Sequence, residues 1–142
     1  MTSVQQLLDQ KGRKVLSVGP DMSVADAIKM MADNNVGSLV VMEGDKLVGI
    51  VTERHYAREV FLKGKTSPKT RVGDIMSSRV VCACLDHAVE ECMAVMTAKG
   101  VRHLPVLEGD RVVGIISIGD LVKSIIGEQK FIIEQLEHYI TH

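Results

Sequence analysis

The chain has 142 residues, an apolar fraction of 46 %, a formal charge of -1, no Trp, and only 2 Tyr and 2 Phe. The apolar fraction excludes a disordered chain, and the length suits one compact domain or two small units sharing a core. The near-zero charge argues against nucleic-acid binding by bulk electrostatics, and the aromatic poverty against carbohydrate platforms and base-stacking surfaces.

The chain opens polar, Met1-Thr2-Ser3-Val4-Gln5-Gln6, unlike a signal peptide. No apolar run approaches the roughly 20 residues of a membrane span. A cytoplasmic protein with no membrane partner is expected. Three cysteines, Cys82, Cys84 and Cys92, suit reduced thiols acting as small apolar fillers better than a disulfide framework. No metal site is expected, because zinc pairs usually have wider spacing and more ligands.

Residues 1–14 are expected to hold a short helix with Val4, Leu7 and Leu8 on one face. A first unit spans 15–62. Its opening strand is expected around Lys14 to Val18. A helix follows, with Ser23 as N-cap and Asp26 in the capping-box position. Its stripe Val24, Ala27, Ile28, Met31 has helical spacing, and Asn35 suits its left-handed end. Two β-branched strands, Ser38 to Met42 and Lys46 to Val51, flank the turn Gly44-Asp45. A second helix starts near Thr52. Residues 63–79 form a connector whose centre, Lys63 to Lys69, is polar and turn-rich.

Residues 80–126 repeat the first unit. A shift of 65 positions lays Val15 on Val80, Asp21 on Asp86, Met31 on Met96 and Leu39 on Leu104 without a gap. It also lays Glu43-Gly44-Asp45 on Glu108-Gly109-Asp110, and Val48-Gly49-Ile50 on Val113-Gly114-Ile115. The chain is a tandem duplication of strand, helix, strand, strand, helix. Residues 127–142 form a C-terminal helix with the stripe Phe131, Ile132, Gln135, Leu136, Tyr139 and Ile140. That stripe must bury against its own module or a second subunit.

Chemistry concentrates where the third strand meets the second helix. Copy one reads Gly49-Ile50-Val51-Thr52-Glu53-Arg54-His55, and copy two Gly114-Ile115-Ile116-Ser117-Ile118-Gly119-Asp120. In each, a hydroxyl sits at a helix N-terminus, which favours an anion. Asp120 is one turn on, and an ionised carboxylate there can accept from the vicinal hydroxyls of a ribose. The same spacing is also a capping box, in which Asp120 bonds only the Ser117 N–H. Arg102 and His103, in Val101-Arg102-His103-Leu104-Pro105-Val106, are suited to phosphate, or to a solvated strand end.

The duplicated unit, the segment Val72-Gly73-Asp74-Ile75-Met76, the run Arg102 to Val106 and the two hydroxyl junctions resemble the CBS domain pair of stand-alone bacterial-type CBS-domain proteins. The resemblance covers about Val15 to Ile125. It implies an α+β fold: a tandem pair of β-α-β-β-α CBS units related by a pseudo-two-fold axis, with two clefts between them. It implies an adenosine-containing ligand, namely AMP, ADP, ATP, NAD(H) or S-adenosylmethionine, bound as a regulatory ligand rather than a catalytic cofactor. It also implies a homodimer. Carried over by position, Ser117 lies near phosphate and Asp120 on the ribose. Backbone at His103 and Val81 meets the adenine, and Arg102 and His103 reach phosphate. Thr52 and Arg54 match likewise in copy one, and Ser38 joins the ligand-binding set.

Copy one departs from the pattern at His55, which stands in the position of the ribose-binding acid. An imidazole lacks two acceptor oxygens. One complete adenosine site around Asp120 is therefore expected, and one altered site around His55 that is vacant, weaker, or suited to an anionic group. No regulated domain accompanies the pair in this sequence, so action in trans on an unidentified target is expected. Catalysis is not expected, because none of His55, His87, His103, His138 and His142 has a patterned nucleophile or acid partner. A ligand-free oligomerisation module, and weak nucleic-acid binding through Arg54, Arg58, Lys63, Lys65, Lys69 and Arg71, are the alternatives.

Overall fold

The computed structural model describes residues 1–141, with side chains through His138. The order is α1 (Val4–Lys11), β1 (Ser17–Val18), α2 (Val24–Asn34), β2 (Ser38–Glu43), β3 (Lys46–Thr52) and α3 (Glu53–Tyr56), the last continued by a π turn, Ala57–Phe61. A 3-10 turn (Ser67–Lys69) and α4 (Val72–Ile75) lead to β4 (Ala83–Cys84), α5 (Val89–Lys99), β5 (His103–Glu108), β6 (Arg111–Ser117) and α6 (Ile118–Thr141).

The duplication is visible in the sheets. Each copy forms a three-stranded sheet, β1-β2-β3 or β4-β5-β6. In each the first pair is parallel and the second antiparallel. The bulges also correspond, at Val41/Met42 and Val106/Leu107. Gly44 and Gly109 turn the hairpins with φ of 59° and 61°, a conformation that costs glycine little. The opening strands are shorter than expected at 14–18 and 80–84. Only their last two residues pair with the neighbouring strand.

The helix ends follow local chemistry. The Ser23 hydroxyl accepts the Asp26 N–H at 3.1 Å, satisfying a donor that the helix cannot, but the Asp26 carboxylate returns no bond to the Ser23 N–H, so the expected capping box is half formed. Asn35 ends α2 in the left-handed region with φ 52°, and Gly100 ends α5 with φ 66°.

The two flanking helices exchange places. Val4, Leu7 and Leu8 of α1, which precedes copy one, pack in the core of copy two with Val89, Met96, Leu104 and Leu121. Val72 and Ile75 of α4, which precedes copy two, pack in the core of copy one with Val24, Met31 and Leu39. Backbone bonds fasten both: Val4 N–H to the His87 carbonyl at 2.8 Å, and Val72 N–H to the Met22 carbonyl at 2.8 Å.

The C-terminal end differs from expectation. There is no separate helix at 127–142, because α6 runs unbroken from 118 through Gly127. An isolated glycine costs a helix interior only about 1 kcal/mol. Phe131, Ile132 and Leu136 are 62, 55 and 58 % exposed, so the expected stripe does not bury on its own module. The side chains of Tyr139 and Ile140, and all of His142, lie outside the described residues. Among the described residues, no helix is long and apolar enough to cross a membrane.

Candidate functional site

Two of the cavities between the copies have walls that the 65-residue shift relates. The smaller, about 400 Å³, takes Leu16, Val36 and Ser38 from copy one, with Lys14 just before it, and Ile115, Ser117 and Asp120 from copy two. The larger, about 650 Å³, takes Val81, Val101 and His103 from copy two, with Arg79 at the end of the connector, and Ile50, Thr52 and His55 from copy one. Each cavity thus combines the strand entry of one copy with the strand–helix junction of the other. Gly37 and His103 line both, so the cavities meet there.

This corrects the grouping expected from the sequence. Asp120 and Ser117 share a cavity with Ser38 and His103, but not with Val81 and Arg102. Val81, Arg102 and His103 instead face Thr52, Arg54 and His55. A repeat reveals which positions are equivalent. It does not reveal that each junction faces the opposite copy's strand entry.

At the copy-two junction both halves of a capping box form. The Ser117 hydroxyl accepts the Asp120 N–H at 3.2 Å, and Asp120 Oδ2 accepts the Ser117 N–H at 2.8 Å. Lys11 Nζ also donates to Asp120 Oδ2, at 2.5 Å, and to the Ile115 carbonyl at 2.7 Å. Asp120 is therefore both the cap and a lining group of the cavity, with Oδ1 the oxygen that these bonds leave open. Partial burial raises its pKa, but the Lys11 ammonium and the Ser117 donors outweigh that and hold the carboxyl below its usual value. It is an anion at neutral pH.

The copy-one junction has the same geometry with different chemistry. The Thr52 hydroxyl accepts the His55 N–H at 3.2 Å, and His55 Nδ1 accepts the Thr52 N–H at 3.1 Å. Burial holds the His55 pKa below its usual value, with the Arg54 charge adding to it against Glu59. In the neutral ring an accepting Nδ1 leaves the proton on Nε2. Where Asp120 offers an acceptor, His55 offers a donor. The His103 pKa is likewise lowered, first by burial, then by Lys11, with Asp120 opposing.

Sequence reasoning missed Lys11 and Lys14 in the smaller cavity, and Arg58 and Arg79 in the larger. Lys14 and Arg79 are equivalents under the 65-residue shift, so pairing the copies would have found both. Arg58 was counted instead in a basic connector patch. That patch divides in the structure. Lys63 pairs with Glu59 at 2.5 Å, Arg71 pairs with Asp21 and Asp74, and Arg54 and Arg58 face the cavity.

The cysteines also divide. Cys92 is buried in the copy-two core, where burial, then Glu91 and Cys84, push its thiol up to about 11. Cys84 is exposed and is no filler. Outside both cavities, Cys84, Asp86 and His87 bring their ligand atoms within 4.8 Å of one another. His87 Nδ1 there accepts the Cys84 N–H at 3.0 Å.

Known proteins share this fold. The solved structure of a CBS-domain protein from Burkholderia ambifaria MC40-6 is 47 % identical, covers 90 % of this chain and 96 % of that one, and superposes with a TM-score of 0.87. The mitochondrial CBS domain-containing protein CBSX3 of Arabidopsis thaliana is 34 % identical over 98 % of this chain and 72 % of its own length. The CBS domain pair of protein MJ0100, solved with 5'-methylthioadenosine and S-adenosyl-L-methionine, is 26 % identical with a TM-score of 0.79, covering 90 % of this chain and 98 % of that one. The family model for the CBS domain matches twice, at residues 11–61 and 72–127. With two matched motifs and two equivalent sheets, the chain belongs to the CBS domain family as a tandem pair.

Proposed function

We propose that this chain is a non-catalytic regulatory module that binds an adenosine-containing ligand in the smaller cavity. The observation that carries the reading is Asp120. It is an ionised carboxylate, anchored through one oxygen, on the wall of a cavity of about 400 Å³ with aliphatic Leu16, Val36 and Ile115. The open oxygen is suited to a ribose hydroxyl. The aliphatic side chains suit an adenine face, and Lys14, Lys11 and His103 suit phosphate. The relative solved with two adenosine compounds supports the ligand class. AMP, ADP, ATP and NAD(H) are the candidates within it.

The module acts in trans on a separate target in the cytoplasm, as a homodimer joined through α6. The exposed apolar side chains Ile126, Phe131, Ile132 and Leu136 support the dimer. A thermal-melting panel of AMP, ADP, ATP, NAD, NADH and S-adenosylmethionine tests the reading. A ligand at about 100 times its dissociation constant adds roughly 2.7 kcal/mol. A flat panel would leave the oligomerisation module as the better account.

A further inference from the structure

The two cavities differ most in charge. Arg54, Arg58, Arg79 and Arg102 line the larger one with His55, and Glu53 is the carboxylate among its lining residues. The arginines come from three places: α3 with its π turn, the segment before β4, and the turn before β5. None of the four forms an ion pair or a side-chain hydrogen bond among the described residues. Arg13, Lys63 and Arg71, outside the cavity, each have a carboxylate within reach. Unpaired like charges on one concave wall repel each other and focus a positive potential into it.

His55 adds a donor rather than an acceptor, since its Nδ1 is taken by the Thr52 N–H. Glu53 Oε1 lies close to Gly37, 3.1 Å from where a Cβ would stand. The wall is therefore rich in donors and poor in acceptors for a diol. Four guanidiniums against one carboxylate leave about three positive charges uncompensated, more than the -1.5 to -2 of about one phosphate monoester. A linked di- or triphosphate matches that charge. Guanidinium forks match its oxygen geometry.

We propose that the larger cavity is a polyphosphate site. It takes a ligand with two or more linked phosphoryl groups, recognised by Arg54, Arg58, Arg79 and Arg102, and does not require a nucleoside. This goes beyond the adenosine reading of the smaller cavity and stands or falls separately from it.

The test is calorimetric titration of inorganic tripolyphosphate into the full chain, without magnesium and at fixed ionic strength. The wild type is expected to show saturable binding that sulfate at the same ionic strength does not displace. The Arg79→Ala/Arg102→Ala double variant should bind at least about tenfold more weakly. The Lys46→Ala variant, which removes a positive charge on the β2–β3 hairpin outside the cavity lining, should bind like the wild type. If the double variant does not fold, Arg58→Ala alone should weaken binding several-fold. No saturable binding to the wild type, or equal losses in the double variant and Lys46→Ala, would overturn the proposal. Adenosine titrated in parallel separates the two sites. Adenosine binding without tripolyphosphate binding sinks this proposal alone, and the converse sinks the adenosine reading alone.

Discussion

Lys11 Nζ lies 2.5 Å from Asp120 Oδ2, so the last residue of α1 reaches across to the first turn of α6. Oδ2 already accepts the Ser117 N–H. With both donors in place that oxygen is saturated. A ribose diol that engages both carboxylate oxygens must displace Lys11.

Lys11→Met is therefore expected to tighten binding of uncharged adenosine. The pair is partly exposed, at 36 and 20 %, and such pairs contribute about 0.2–1 kcal/mol. The gain should be about 1.4- to fivefold by calorimetry. Weaker adenosine binding would mean that Lys11 positions Asp120 rather than competing for it.

Leu8 tests the exchange of flanking helices. It is fully buried in the copy-two core, although the sequence places it before copy one. Leu8→Ala should cost about 2–5 kcal/mol in urea unfolding. A loss below about 1 kcal/mol would show that α1 is peripheral.

The histidines make stability depend on pH. Burial, chiefly, holds His55 and His103 below the ordinary value of 6.5. The unfolded chain takes up their protons first as pH falls through 6.5. The stability of the neutral rings is full above that value and is lost from there down to the folded pKa. The melting temperature should thus hold above pH 6.5 and fall as the pH drops below it. His55→Gln keeps an acceptor at the same capping position, as Gln does in such boxes, but does not titrate. It should narrow the drop. An unchanged drop would remove His55 from the account.

The units, hairpin turns, helix caps and junction hydroxyls were legible in the sequence, because each is a local pattern repeated at a fixed shift. Ser23, Gly44, Asn35 and Gly100 show this: the requirement each meets lies within a few residues. The partners of α1 and α4 were not legible, since Leu8 and Val72 are equally apolar whichever core receives them. For the same reason Asp120 was grouped with Val81 and Arg102. The π turn at Ala57–Phe61 has no compositional mark, yet it carries Arg58 to the larger cavity. The run of α6 through Gly127 was hidden because an isolated glycine weakens a helix without ending it.

The exposed face of α6 predicts self-association. Ile132→Glu/Leu136→Glu should convert a dimer to a monomer in sedimentation at micromolar concentration, because a charge in an apolar interface is strongly disfavoured. A wild type that is monomeric under those conditions would contradict the dimer.

The central claim is that Asp120 completes an adenosine site. Calorimetric titration of AMP into the wild type and Asp120→Ala tests it most directly. Loss of a hydrogen bond to a charged group is worth about 1.5–3 kcal/mol, so the variant should bind at least about tenfold more weakly. Equal AMP affinity in the two proteins would contradict the account.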